Sequence, residues 1–300
     1  MHFCKATIAV CAALAMSTMA RAEASEITIA QQYGVSFLPL MVMEKQALVE
    51  KHAAQAGLPA IKVTWAKMAG PSVMNDGLIS GNLHFAAQGA PSLITLWSKT
   101  NGQIKGVAAL TTYPLYLVTR DPNVKKLSDF SDKDKIAVPS VKISTRAIML
   151  QMAAAKEFGE KNYTKLDPLT ISLSHPDATL AFIGNTAGPA TALVLTTSAK
   201  FRDANPKAYR AVYDALSEAI ATINKDKTAA AKFYLEAAHD TKNSVSDIVA
   251  MISDKDYAYT LKTDKVFATA QFMAKIGSIK QAPGSIGDLF FPENAAQKGD

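Results

Sequence analysis

The sequence predicts an α/β protein built as two lobes. Strand-like and helical segments alternate from Glu26 to Leu110, and the alternation restarts near Thr111 and runs to about Thr197 before a largely helical tail. The composition, 49% hydrophobic and 19% charged over 300 residues, lies in the range of soluble globular chains and is long enough for two lobes. Apolar content this high offsets chain entropy, so disorder is not expected.

The first segment is a leader. Lys5, the short apolar stretch 6–16 and Ala20-Arg21-Ala22 form the three-part secretory pattern, with cleavage expected after Ala22. The stretch is too short to stay in a bilayer as a permanent helix. Cys4 and Cys11 both fall inside it, so the expected mature chain, 23–300, holds no cysteine. That excludes a disulfide framework, a thiolate metal site and a cysteine nucleophile. Val10 is too bulky to precede a lipidated Cys11. A periplasmic location follows. The net charge of +6 falls to +4 once Lys5 and Arg21 are removed, leaving 30 basic against 26 acidic residues. The basic residues are scattered, unlike the clustered face of a nucleic-acid binder, and an excess of this sign helps attract anions. No later stretch is long and apolar enough to span a membrane.

In the first lobe, EITIAQ at 26–31 reads as a strand and 38–56 as one helix, opened by Ser36, with Pro39 in its first turn and Gly57 at its end. IKVTW at 61–65 alternates as a half-buried strand does. A helix over 70–79, a turn at Gly81-Asn82, a strand over 83–87, a helix over 90–99 and a strand over 104–110 follow. This order implies a parallel sheet covered by helices on both faces. The second lobe has strands at 115–119, 136–138 and 169–173 and a helix over 144–158 closed by Gly159. His175-Pro176-Asp177 leads into a further helix at 178–183. A strand at 193–197 returns to the first lobe, Asn205-Pro206 starts a helix over 207–224, and 227–276 is helical with short breaks. Lobe I therefore comprises 23–112 plus 198–300, and lobe II is inserted at 113–197. The two crossings, near 111–114 and 188–196, act as a hinge.

Ligands in open α/β sheets sit beyond the carboxyl ends of the strands. Three loops here occupy such positions before helices, QQYGVS at 31–36, QGAPS at 88–92 and SVKIST at 140–145. They nominate Gln32, Tyr33, Gly34 and Ser36, then Gln88, Gly89 and Ala90, then Ser140, Lys142, Ser144 and Thr145, with Thr111 and Thr112 at the hinge. Free helix N–H groups and the helix dipole favour an anion there. Each residue also has a plainer reading. Ser36 and Ser144 serve as N-caps, Gly34 and Gly89 as turn glycines, and Lys142 as a solvated lysine. Trp65 and Trp97 belong to the core. No histidine pair is spaced for zinc, and no nucleophile elbow, Walker loop or dinucleotide fingerprint occurs. No metal, cofactor or catalytic residue is therefore expected.

Several segments carry a family likeness. ITIAQQYG at 27–34 with Leu38-Pro39-Leu40, the stretches 85–92 and 111–115, VPSVK at 138–142, HPDAT at 175–179 and the tail from Phe272 to Pro292 together resemble the bacterial sulfonate/nitrate/taurine substrate-binding proteins of ABC transporters. The likeness runs over nearly the whole mature chain. It implies a type II periplasmic-binding fold, two α/β lobes joined by hinge strands, and a monomer that closes on one small anion. Delivery to an ABC permease and its ATPase, without catalysis, is implied with it. A related branch is an enzyme of thiamine-pyrimidine synthesis, marked by a cysteine-rich motif that the mature chain lacks. A pyrimidine or sulfur enzyme on the same fold and a ligand-sensing domain are the alternatives. Two departures stand out. Phe182-Ile183-Gly184-Asn185 runs almost directly into Gly188-Pro189, so a section of lobe II is missing, and Ile286 replaces a frequent tryptophan. A shortened lobe leaves the pocket open on one side, or marks an impaired paralogue.

Overall fold

The computed structural model describes residues 23–117, 119, 121–173 and 184–295. The expected leader, His175-Pro176-Asp177 and the helix expected at 178–183 lie outside the described residues.

Among the described residues the main sheet has six strands. In chain order they are β1 (Glu26–Gln31), β2 (Lys62–Lys67), β3 (Phe85–Gly89), β4 (Ile104–Leu117), β7 (Gly184–Ser198) and β8 (Ala258–Tyr259), arranged β2-β1-β3-β7-β4-β8. β1 pairs in parallel with β2 and β3, and β7 runs antiparallel to β3 on one side and β4 on the other. The sheet is thus mixed, where the alternation alone implies a parallel one. The chain leaves by β4 and must come back in the opposite direction, so β7 threads between β3 and β4. A second sheet pairs β5 (Ile136–Val138) with β6 (Thr170–Ser172) in parallel. It packs with α5 (Thr145–Phe158) on a small core of Ile136, Leu150, Ala154 and Leu166.

The remaining helices are α1 (Leu38–Lys45), α2 (Leu48–Gln55), α3 (Pro71–Ser80), α4 (Ala90–Lys99), α6 (Ala199–Ala204), α7 (Pro206–Lys225), α8 (Lys227–Ala238), α9 (Val245–Ile252), α10 (Val266–Lys275) and two four-residue turns, α11 (Ile286–Leu289) and α12 (Pro292–Ala295). On one face of the sheet, α1, α2, α7 and α8 bury Leu38, Leu40, Val212 and Leu216 against Ile27, Ile29, Phe85 and Ala87. On the other, Met74 and Leu78 of α3 meet Ala30 and Ala86. Leu93 and Ile94 of α4 join Val194 of β7 and Ala270 and Met273 of α10. Ile148 of α5 belongs to this last cluster, so the helix that builds the small lobe is also packed onto the large one.

Three expected elements differ from the structure. The helix expected over 38–56 breaks between Lys45 and Leu48, where Ala47 takes a left-handed conformation with φ 47°. The turn costs about 1–2 kcal/mol. It re-aims the chain so that Leu48, Val49 and Ala53 reach the core. The strands expected at 104–110 and 115–119 are one strand, β4, whose register shifts between Ala109 and Pro114 are bulges and not an end. The tail expected to be helical contains β8, because Ala258 and Tyr259 pair with Thr112 and Thr111 at the free edge of β4. At the crossing, Pro114 lies opposite Pro189. Neither can donate a ladder hydrogen bond, which leaves the ribbon weakly paired where it passes between lobes.

His84 couples the fold to pH. Its Nδ1 accepts the Thr28 N–H at 2.9 Å, its ring lies 4.9 Å from Phe201, and burial holds its pKa below the ordinary value. Protonation removes the acceptor. The unfolded chain binds the proton near pH 6.5 and the folded chain only at lower pH, so this contribution is complete above about 6.5 and is lost as pH falls through the folded value. Denaturant titrations between pH 7 and pH 5 are expected to show a decline in stability that His84→Asn, which can still accept from Thr28 but does not titrate, lacks. Equal declines in the two proteins would refute the assignment.

Candidate functional site

The carboxyl ends of β1, β3 and β5 and the start of α3 meet at one cleft of ≈230 Å³. Each wall has a local origin. β1 stops at Gln31, so Gln32 is the first residue to leave the ladder. Gly34 follows with φ 106°, a conformation that favours glycine, and space around it is open. A 3₁₀ turn, Val35–Phe37, then feeds α1. β3 runs straight into α4 through Gly89, and Gly70 precedes Pro71 at the start of α3. No side chain caps either helix start, so both leave backbone N–H groups for another acceptor. From the small lobe, Ser144 caps α5 by accepting the Ala147 N–H at 3.3 Å.

Of the residues nominated by the sequence, Gln32, Tyr33, Gly34, Ser36, Gly89, Ser144 and Thr145 line the cleft. They come from both lobes. The others do not line it. Gln88 lies one position inside the end of β3 and is 0% exposed, and neither amide atom has a partner among the described residues. Ala90 is buried in the cluster around α4, and Thr111 and Thr112 have hydroxyls without a partner among the described residues. Ser140 belongs to the seam between lobes. Lys142 is exposed with φ 64°, and its charge acts on Asp167, whose carboxyl burial pushes up in spite of a 2.7 Å hydrogen bond from Gln151.

The seam closes around the site. Ser92 Oγ donates to the Ile143 carbonyl at 3.3 Å, Thr145 Oγ1 to the Ala192 carbonyl at 3.3 Å, and Ser72 Oγ to Ser140 Oγ at 3.4 Å. The hydroxyl protons of Ser92 and Thr145 are therefore used in the seam. Gly89 sits so close to Thr145 that a Cβ there would fall 2.0 Å from Oγ1.

Two features of the cleft are not visible in the nominated loops. The first is Arg146, half-buried at the second position of α5 and the one charged residue among the described lining residues. Its signal in the sequence is a cation directly after a helix-capping Ser-Thr pair. The second is a tyrosine wall. Tyr113 of β4 lines the cleft and stacks on Tyr257 at 5.3 Å and 8°. Tyr257 donates to Ser36 Oγ at 3.4 Å, and Tyr259 donates to the Val35 carbonyl at 2.7 Å. Burial drives the phenols of both well up, so they remain donors. Ser36, expected to cap a helix, caps none and instead accepts from Tyr257. Among the described residues no group of three His, Cys, Asp or Glu is placed to hold a metal, and no helix is long and apolar enough to cross a membrane.

The donor set therefore consists of helix starts, hydroxyls and one guanidinium. No carboxylate lies among the described lining residues. Such a wall stabilises negative charge.

No family model and no curated protein sequence matches the chain. Solved structures do. A Candida albicans protein that defines a family with the generic periplasmic-binding-protein fold aligns at 15% identity over 92% of this chain and 99% of its own, with a TM-score of 0.66. The nitrate-binding protein NrtA of Synechocystis PCC 6803 aligns at 15% identity over 89% of this chain and 84% of its own, with a TM-score of 0.62. The alkanesulfonate-binding protein SsuA of Xanthomonas axonopodis pv. citri, solved with MOPS, aligns at 14% identity over 87% and 96%, with a TM-score of 0.60. Likeness at such identities is a likeness of fold, and on that ground the chain has the periplasmic-binding-protein fold.

Proposed function

We propose that this chain is the solute-binding component of an ABC importer, secreted to the periplasm through a cleaved leader at 1–22. It binds a small organic or inorganic anion, of the size of an aliphatic sulfonate, taurine or nitrate, and hands it to the permease and its ATPase. It is not an enzyme. The observation that carries this reading is the convergence of helix starts from both lobes, with Arg146, on one cleft. The proposed contacts are Gln32, Tyr33, Gly34, Ser36, Gly89, Ser144 and Thr145, with Arg146 added. Gln32 lines the cleft at 3% exposure. The aligned folds include proteins that bind sulfonate and nitrate, which agrees with an anion.

The test is a panel of alkanesulfonates, taurine, nitrate and thiamine-pyrimidine precursors, read by thermal shift and calorimetry. A ligand at one hundred times its Kd stabilises the folded state by about 2.7 kcal/mol. Stabilisation by an anion without its consumption is the expected result. A folded protein that ignores every panel member at millimolar concentration, or that turns one over, overturns the reading.

A further inference from the structure

A second hollow lies between the lobes, away from the cleft. One wall is the far half of α5 and the turns behind it, with Met152, Ala155 and Tyr163, and the other is α10 and its end, with Gln271, Phe272 and Ile276. Ala155 stands about 14 Å from Arg146 along the α5 axis, at 1.5 Å per residue, so the groove and the cleft are separate. At ≈570 Å³ the groove falls within the roughly 300–1,000 Å³ of small-molecule sites, whereas the cleft at ≈230 Å³ falls below it. Two links between the lobes hold its shape. Tyr163 donates to the Ile276 carbonyl at 3.1 Å, and Lys275 pairs with Glu160 at 2.5 Å. Met152 and Phe272 pack against the apolar cluster that holds Ile148, yet both remain partly exposed. The floor of the groove is thus the outer surface of that core, left open where the lobes meet.

The charges at its rim do not cancel. Glu160 is matched by Lys275, and Lys161 forms no ion pair among the described residues. An apolar hollow with one spare cation at its rim suits a molecule with an apolar body and an acidic end. We propose that this groove binds an amphipathic acid, a free alkyl carboxylate of medium chain length, with its chain on Met152, Ala155 and Phe272 and its carboxylate beside Lys161. The site is independent of the anion-binding reading of the cleft. Lys161 is exposed, so its charge contributes little and the chain carries most of the affinity. The methionine side chain is flexible enough to follow chains of different length. Walls from two lobes enclose a single chain and present no flat face to a membrane.

The experiment titrates hexanoate, octanoate and decanoate calorimetrically into the mature protein, with 1-octanol as the uncharged control. Burial of each methylene is expected to tighten binding about three- to fourfold, so that affinity rises about tenfold from each acid to the next. Octanoate is expected to bind more tightly than 1-octanol. Ala155→Trp, which fills the groove from a partly exposed position, is expected to weaken decanoate binding at least about tenfold. Lys161→Glu, at an exposed position where the fold is not at risk, is expected to weaken each acid at least about threefold and to leave 1-octanol unchanged. Arg146→Glu, which cripples the distant cleft, is expected to leave decanoate affinity within about twofold. No binding of monomeric decanoate, affinity that ignores chain length, or loss of decanoate in Arg146→Glu but not in Ala155→Trp would each overturn the groove as a site. So would co-sedimentation with phosphatidylglycerol vesicles by a protein that ignores monomeric decanoate, because the same surface would then face a membrane.

Discussion

Arg146→Glu is expected to abolish anion binding while leaving the protein folded. Arg146 occupies the second position of α5, within the first turn, where the helix macrodipole favours a negative side chain. A glutamate there suits the helix start and repels an anionic ligand. Arg146→Ala removes a charged hydrogen-bond donor, which accounts for roughly 1.5–3 kcal/mol, or about 10- to 100-fold in affinity. Arg146→Glu adds repulsion inside a small cleft and takes affinity below what calorimetry detects. Arg146 has further contacts in the folded chain, so Arg146→Lys serves as the control that keeps charge and loses the planar fork. Circular dichroism and the melting temperature of the ligand-free protein report the fold. Sulfonate binding by Arg146→Glu within threefold of the unaltered protein would show that the cation does not face the ligand.

That experiment turns on a residue the local pattern did not single out, and the reason is geometric. Lys142 and Arg146 lie four positions apart, and both flank the same helix start. Sequence proximity does not say which cation looks into the cleft. The left-handed conformation at Lys142 takes that side chain out to solvent, while the helix carries Arg146 to the lining. The two glutamines differ for a related reason. Gln32 and Gln88 each stand near a strand end, but β1 stops at Gln31 whereas β3 continues to Gly89. One side chain leaves the sheet and the other stays within it, a difference of one ladder residue. Helix starts were readable because their signals are local. Ser144 precedes an apolar-periodic run, and Pro91 sits just inside α4. Long-range pairings were not. Ser36 is claimed by Tyr257, 221 positions away. The first half of β7, rich in Gly, Ala and Pro, has little strand propensity of its own and is extended by pairing with β4. The order of elements was legible from periodicity, and the antiparallel return of β7 was not, because direction is set by where the chain must go next.

The seam between lobes gives the second large expected effect. Ile148 carries α5 into the apolar cluster of the large lobe, and Tyr163 of the small lobe donates to the Ile276 carbonyl at 3.1 Å. Closure of the cleft therefore depends on how nearly α5 can approach α4, and one close approach between them is Gly89 against Thr145. Gly89 has φ −65° and ψ 147°, values open to any residue, so Gly89→Ala introduces a methyl with no backbone strain. The methyl would lie 2.0 Å from Thr145 Oγ1 and 3.3 Å from its Cβ. Thr145 cannot yield without giving up its hydrogen bond to Ala192 and its place beside the cleft. Overpacking of this kind costs about 1–3 kcal/mol. Gly89→Ala is expected to lower stability by that amount and to weaken anion binding in proportion to the seam it opens. Thr145→Ala removes the clashing oxygen and leaves only the 3.3 Å contact, so the double variant is expected to recover most of both losses. Denaturant titrations of the four proteins in this cycle measure the coupling directly. Additive effects, with no recovery in the double variant, would mean that the lobes do not meet through this pair and that the cleft closes by some other contact.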